Sequence, residues 1–216
     1  MISIIWDLDG TLIDSTKDIK KYLELAIKNT GIDLSMQIKP FVIGPTIDII
    51  IKQSFPESII KENVLKKIIE NFRELYDNSN FENTKPYNDI EEIIFNNTDY
   101  FHHIVTNKPD LSTNRILDIL GWKNYISSIS TPYTEINRNK KTKTELFKNV
   151  INKYNNSCFI GIGDMVNDCI AAKENNIMTI GVLWGTGTKE ELKDNCDFLF
   201  DDIKQLNKFL REKSYE

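Results

Sequence analysis

The chain has 216 residues, 40% of them hydrophobic and 27% charged, with a formal net charge of −5. That length holds one full core plus a modest second module, and the acidic balance argues against nucleic acid and other acidic partners. Cys158, Cys169 and Cys196 lack a metal-type spacing, so reduced thiols in a cytoplasmic protein are expected rather than a disulfide framework or a zinc site. No basic leader and no apolar run of transmembrane length is visible, so no membrane partner is expected.

Residues 2–6 are uniformly apolar apart from Ser3, the pattern of a strand covered on both faces of a parallel sheet. The run ends at Asp7-Leu8-Asp9-Gly10-Thr11, where two carboxylates two residues apart fall at the strand's carboxyl edge and Gly10 allows a tight turn. A helical block follows. Apolar positions recur at helical spacing over 17–29, over 47–55, and through a longer helix opened by Pro56-Glu57-Ser58 and running to Tyr76. Residues 77–88 are polar and turn-rich and read as the linker closing this block.

Strands and helices then alternate: helix 89–95, strand 101–105, helix 111–120, a weaker strand 126–130, helix 144–154, strand 158–162, helix 167–175, strand 178–182 and helix 203–211. The pattern predicts an α/β fold, a Rossmann-like parallel sheet with helices on both faces. Residues 1–14 and 82–216 form the expected core, and 15–81 an all-helical module inserted after its first strand.

Three further segments bring polar groups to the same edge. Val105 leads into Thr106-Asn107-Lys108-Pro109, where the Thr106 hydroxyl and the following backbone N–H groups can bind an anion. Ile160-Gly161-Ile162-Gly163 leads into Asp164-Met165-Val166-Asn167-Asp168, adding two carboxylates four residues apart. Four acids converging on one edge repel one another unless a cation sits among them, and a hard divalent ion, Mg²⁺ by preference, satisfies oxygen ligands. Taken singly, Asp164 or Asp168 reads as a helix cap and Thr106 as a turn residue; their common edge is what joins them. His102 and His103, with no placed serine or cysteine partner, read as strand-end residues.

Asp7-Leu8-Asp9-Gly10-Thr11-Leu12, Thr106-Asn107-Lys108, a lysine ahead of a helix, and Gly163-Asp164-Met165-Val166-Asn167-Asp168 resemble, in order, the four motifs of the haloacid dehalogenase-like hydrolases. The helical insertion resembles that family's small cap, and Gly181-Val182-Leu183-Trp184-Gly185 resembles its phosphoglycolate phosphatase branch. The resemblance implies a phosphatase in which Asp7 is the nucleophile and Asp9 the general acid and base. Between two such neighbours Asp7 is expected to stay charged and Asp9 to move toward its protonated form. It implies Mg²⁺ held by Asp7, Asp9 through its backbone carbonyl and Asp164, with Asp168 as a further ligand or as the hydrogen-bonding partner of one. Phosphate would be held by Gly10, Thr11, Thr106, Asn107 and a lysine.

Lys143-Thr144-Glu145-Leu146 resembles a Lys-x-Glu-aliphatic form of the lysine motif, with Lys141 as the alternative. The expected substrate is a small phosphorylated metabolite, phosphoglycolate-like or a sugar phosphate. Dehalogenases of the superfamily lack an acid at the position of Asp9. A phosphosugar mutase, or a non-catalytic phosphate-sensing or protein-binding relative, remains an alternative reading of these motifs.

Overall fold

Because Ser3, Ile4, Ile5 and Trp6 are all fully buried, β1 (Ile2–Trp6) can only sit inside a sheet covered on both sides. A computed structural model describes residues 2–96, 100–132, 141–155 and 158–213. After β1 come β2 (Ile13–Asp14), α1 (Thr16–Asn29), α2 (Ile47–Ser54), α3 (Glu62–Asp77), β3 (Lys85–Pro86), α4 (Ile90–Asn96), β4 (Tyr100–Val105) and α5 (Asp110–Ile119). Then follow β5 (Ile126–Ser130), α6 (Lys143–Lys153), β6 (Cys158–Gly163), α7 (Val166–Glu174), β7 (Met178–Val182), α8 (Lys189–Leu192), β8 (Phe198–Phe200) and α9 (Ile203–Lys213). Six strands form one parallel sheet in the order β5-β4-β1-β6-β7-β8. Beside β1 the chain continues on one side into β4 and on the other into β6, so strand order reverses there. In open α/β sheets ligands bind beyond the carboxyl ends of the strands at such a reversal.

The two faces of the sheet are covered by different helices. Ile5, Val105 and Phe159 on one face pack against Leu146, Phe147 and Val150 of α6 and Ala171 and Ala172 of α7. Gly161, in register with Ile5, lies on that face because a Cβ there would approach the Ala172 Cβ to 2.8 Å and the Phe147 ring to 2.9 Å. On the other face the Tyr100 hydroxyl donates to the Leu210 carbonyl of α9 at 2.6 Å. Neighbouring His102 accepts from the Trp6 indole N–H through Nδ1 at 3.0 Å.

His102 and His103 therefore stand inside β4, buried on opposite faces, and not at a strand end as the sequence suggested. The strand begins at Tyr100, which places both imidazoles mid-strand. The His103 ring bridges the hydroxyls of Ser128 at 2.8 Å and Ser3 at 3.3 Å. Burial, with His103 alongside, pushes His102 down to about 4, and burial with Lys153 nearby pushes His103 down to about 4. Only the unfolded chain then takes up these two protons between the ordinary histidine value and about 4, so stability falls as pH drops through that window. As the chain has two histidines, their ring NMR titrations in the folded protein should show midpoints near 4. The melting temperature should decline below about pH 6.5.

The chain divides into two compact units, residues up to Asp14 together with those from Lys85 onward, and Ser15–Thr84. The second unit is helical. Leu23, Ala26 and Ile27 of α1 and Leu65, Ile68 and Phe72 of α3 are buried, and Tyr22 meets Tyr76 edge-on at 6.0 Å. Its two ends are tied by Asp18, whose buried carboxylate accepts from the Asn83 backbone N–H at 2.9 Å, the Asn83 side chain at 2.8 Å and the Thr84 hydroxyl at 2.8 Å. In the first unit, β2 and β3 pair antiparallel, Ile13 with Pro86 and Asp14 with Lys85, so the chain leaves and re-enters along one short ribbon.

Several expectations are corrected. The long helix begins at Glu62, because Pro56 caps a separate turn in which its carbonyl accepts from the N–H groups of Ile59 and Ile60. Cys169 and Cys196 are joined in a disulfide across a sequence separation of 27, leaving Cys158 as the free thiol; sequence spacing carries no information about a contact made by folding. Among the described residues no helix is long and apolar enough to cross a membrane.

Candidate active site

The Asp7 N–H donates to the Ile162 carbonyl at 2.9 Å, extending the β1–β6 pairing one residue past the strand and fixing where the first carboxylate emerges. The chain then turns at once: the Leu8 carbonyl accepts from Leu12 at 2.9 Å and Ile13 at 3.0 Å, and Gly10 N–H donates to the Ile13 carbonyl at 2.9 Å. Gly10 adopts φ of 86°, in the left-handed region, and any Cβ there would collide with the Asp164 carboxylate. The glycine thus serves both the turn and the approach of the second acidic segment.

That segment leaves β6 and enters α7. Asp164 is fully buried and clamped: its Oδ2 accepts from the Thr186 N–H at 2.8 Å and hydroxyl at 2.9 Å, and its Oδ1 accepts from the Thr11 hydroxyl at 3.2 Å. Gly185 and Gly187 bring the chain after β7 against Gly10 and Asp164, where a Cβ at either position would overlap backbone. The Trp184 indole N–H donates to the Thr11 carbonyl at 3.0 Å and closes this strap. Asp168 sits at the third helical position of α7 and accepts the Met165 N–H at 3.0 Å, so its ordinary capping role coexists with its place in the site.

One oxygen from each of Asp7, Asp164 and Asp168 lies within 4.8 Å of the others. Lys143 answers this charge. It is the first residue of α6, fixed by the Thr142–Glu145 capping box, and its Nζ lies 2.6 Å from Asp7 Oδ1 and in contact with Asp168. Burial raises Asp7 well above the usual carboxylate range, opposed by Lys143 and reinforced by Asp168 and Asp164. Burial, with Asp168 alongside, pushes Asp164 up to about 6. Burial alone would lower Lys143, but Asp168 and Asp7 outweigh it and the ammonium is held more firmly than in water. The bare chain thus leaves Asp7, the acid expected to stay charged, short of positive charge. Three buried hard oxygens against one lysine fit a divalent cation.

Asp7, Thr11, Lys143, Asp164 and Asp168 are joined by these contacts, with Gly10 packed on Asp164. The carboxylate of Asp9 is not in the acidic trio; its Oδ1 pairs with the Lys108 ammonium at 3.1 Å. Thr106, at the end of β4 one strand over from Asp7, is buried, and its hydroxyl accepts the Lys108 N–H at 3.1 Å. Asn107 follows it on the same edge. Lys141 is half-buried ahead of α6, its N–H 3.4 Å from the Pro132 carbonyl. The sequence reading assigned no role to Lys108, Trp184 or Thr186. Lys108 lies inside the Thr106-Asn107-Lys108 motif and Trp184 inside the Gly181-Val182-Leu183-Trp184-Gly185 segment, so each carries a sequence signal without a geometry.

A family model described as haloacid dehalogenase-like hydrolase matches residues 4–182, which contain Asp7, Asp9, Thr106, Lys143, Asp164 and Asp168 but not the strap of Trp184 to Gly187. The phosphoglycolate phosphatase of Aquifex aeolicus is 28% identical over 188 residues, covering 84% of each chain. The pyrophosphatase PpaX of Oceanobacillus iheyensis is 27% identical over 212 residues, covering 94% of each. In fold, a haloacid dehalogenase-like family hydrolase of Streptococcus pneumoniae superposes with a TM-score of 0.81 at 18% identity, covering 97% of this chain and 98% of that one. With the sheet order, the paired acids and the matched segment in agreement, the chain belongs to the haloacid dehalogenase-like hydrolases and is a phosphatase of that family.

Proposed function

We propose that the protein is a Mg²⁺-dependent phosphatase that hydrolyses a small phosphate monoester, phosphoglycolate-like or a sugar phosphate, through an aspartyl-phosphate on Asp7. The observation that carries this reading is the buried Asp7–Asp164–Asp168 cluster with Lys143 against Asp7. Asp7, Asp164, Asp168 and the Asp9 carbonyl would hold Mg²⁺, which when bound would supply positive charge to keep Asp7 ionised and to offset the charge on the phosphoryl oxygens. Asp7 attacks phosphorus, and the ester P–O bond breaks with its electron pair remaining on the leaving oxygen, which takes the proton from Asp9. Asp9 then accepts a proton from water as the water oxygen attacks phosphorus, breaking the bond to Asp7 and releasing inorganic phosphate. Lys143, Thr106 and the backbone around Gly10 and Asn107 hold the phosphoryl oxygens, where fixed donors count most.

The named relatives act on different phosphate compounds, so a panel of phosphorylated metabolites assayed for phosphate release with and without Mg²⁺ is the direct test. Mg²⁺-dependent turnover of a small monoester is expected. Transfer of phosphate to a second sugar hydroxyl instead of water would favour a mutase, and no turnover across the panel would favour a sensing role. Thr186→Val, which removes one of the donors on Asp164, should raise the Mg²⁺ concentration for half-maximal activity about tenfold. Its turnover at saturating Mg²⁺ should stay close to wild type.

A further inference from the structure

The two acids of the first motif have separate lysines. Lys143 serves Asp7, whereas Lys108, whose side chain is 3% exposed, places Nζ 3.1 Å from Asp9 Oδ1. A lysine ammonium is seldom buried, because removing it from water and freezing its four-carbon stem are both costly. Here the backbone prepares the placement. The Lys108 N–H donates to the Thr106 hydroxyl at 3.1 Å, the Thr113 hydroxyl donates to the Lys108 carbonyl at 3.4 Å, and Pro109 caps α5 immediately after. Lys108 is thereby fixed on both sides at the carboxyl end of β4, with its charge directed across to the end of β1.

We infer that Lys108 is a positioning residue: it holds Oδ1 of Asp9 so that Oδ2 is the atom that passes the proton to the departing ester oxygen. The inference rests on the phosphatase reading above. A carboxyl at the tip of a turn can rotate about two side-chain bonds, and proton transfer requires it within hydrogen-bond reach of one particular oxygen. The charge-assisted bond from Lys108 removes that freedom. In the step concerned, Asp7 bonds to phosphorus, the ester P–O bond breaks with its electrons on oxygen, and the Asp9 Oδ2 proton moves to that oxygen. The products are the alcohol, aspartyl-phosphate and the Asp9 carboxylate.

The signature of this role is a dependence on the leaving group. Phenyl phosphate needs its leaving oxygen protonated far more than para-nitrophenyl phosphate does, and kcat/KM covers the steps through departure of that group, before hydrolysis of the intermediate. Lys108→Met should lower kcat/KM for phenyl phosphate at least about tenfold more than for para-nitrophenyl phosphate. Lys108→Arg should recover most of the difference. Lys108→Gln, which keeps a neutral donor, serves as the second variant should the methionine protein fail to fold, and should steepen the leaving-group dependence in the same direction. Equal losses on the two esters, or no loss, in a folded variant would overturn the positioning role while leaving the phosphatase reading intact. A wild-type protein that hydrolyses neither these esters nor any phosphorylated metabolite of the panel with Mg²⁺ would overturn both.

Discussion

Lys143→Met should lower kcat by about 10²- to 10³-fold, the range seen when a fixed donor to a developing anionic charge is removed. The reason is in the packing. Lys143 is buried, its Nζ lies 2.6 Å from Asp7 and also touches Asp168, so methionine keeps the stem and deletes the charge where Asp7 must approach a dianionic phosphate. The same change leaves three buried carboxyls without their lysine and should cost about 3–5 kcal/mol of stability in metal-free buffer. Mg²⁺ should return part of that loss by binding the folded state alone. Phosphate release and melting temperature, each measured with and without Mg²⁺, check both effects; near-normal turnover would remove Lys143 from the phosphate site and direct attention to Lys141.

Asp7→Asn should abolish turnover, with a fall of at least about 10⁴-fold, because an amide cannot act as the nucleophile that forms the covalent intermediate. Stability should be preserved. Burial already disfavours the charged form of Asp7, and Asp164 and Asp168 repel it, so a neutral side chain of nearly the same shape relieves repulsion while Lys143 keeps Asp168 as a partner. Calorimetry should show a melting temperature at or above that of the wild type. A folded Asp7→Asn protein with substantial phosphatase activity would contradict the assignment of the nucleophile.

What the sequence made legible is what local pattern determines. The apolar run before Asp7, the alternation after residue 89 and the placement of acids after strands follow from side-chain periodicity and from the fixed position of ligand sites on parallel sheets. What it concealed depends on contacts between distant segments. β2 and β3 are two residues each, and they exist because Ile13 meets Pro86 and Asp14 meets Lys85. The Cys169–Cys196 bond, the clamp of Thr186 on Asp164 and the pairing of Lys108 with Asp9 all join segments whose separation in sequence says nothing about their approach. Lys143 was the intermediate case: a helix-entry motif indicated the region, and the capping box at Thr142 and Glu145 fixes which lysine faces Asp7.

If phosphate passes through Asp7, the aspartyl-phosphate can be trapped chemically. Wild-type protein turning over a small phosphate monoester with Mg²⁺ would be quenched in acid, reduced with borohydride to convert an acyl phosphate to homoserine, and digested for mass spectrometry. Homoserine at position 7 is expected only in samples quenched with substrate. Efficient turnover with position 7 unmodified, or with the phosphoryl group on another residue, would contradict it.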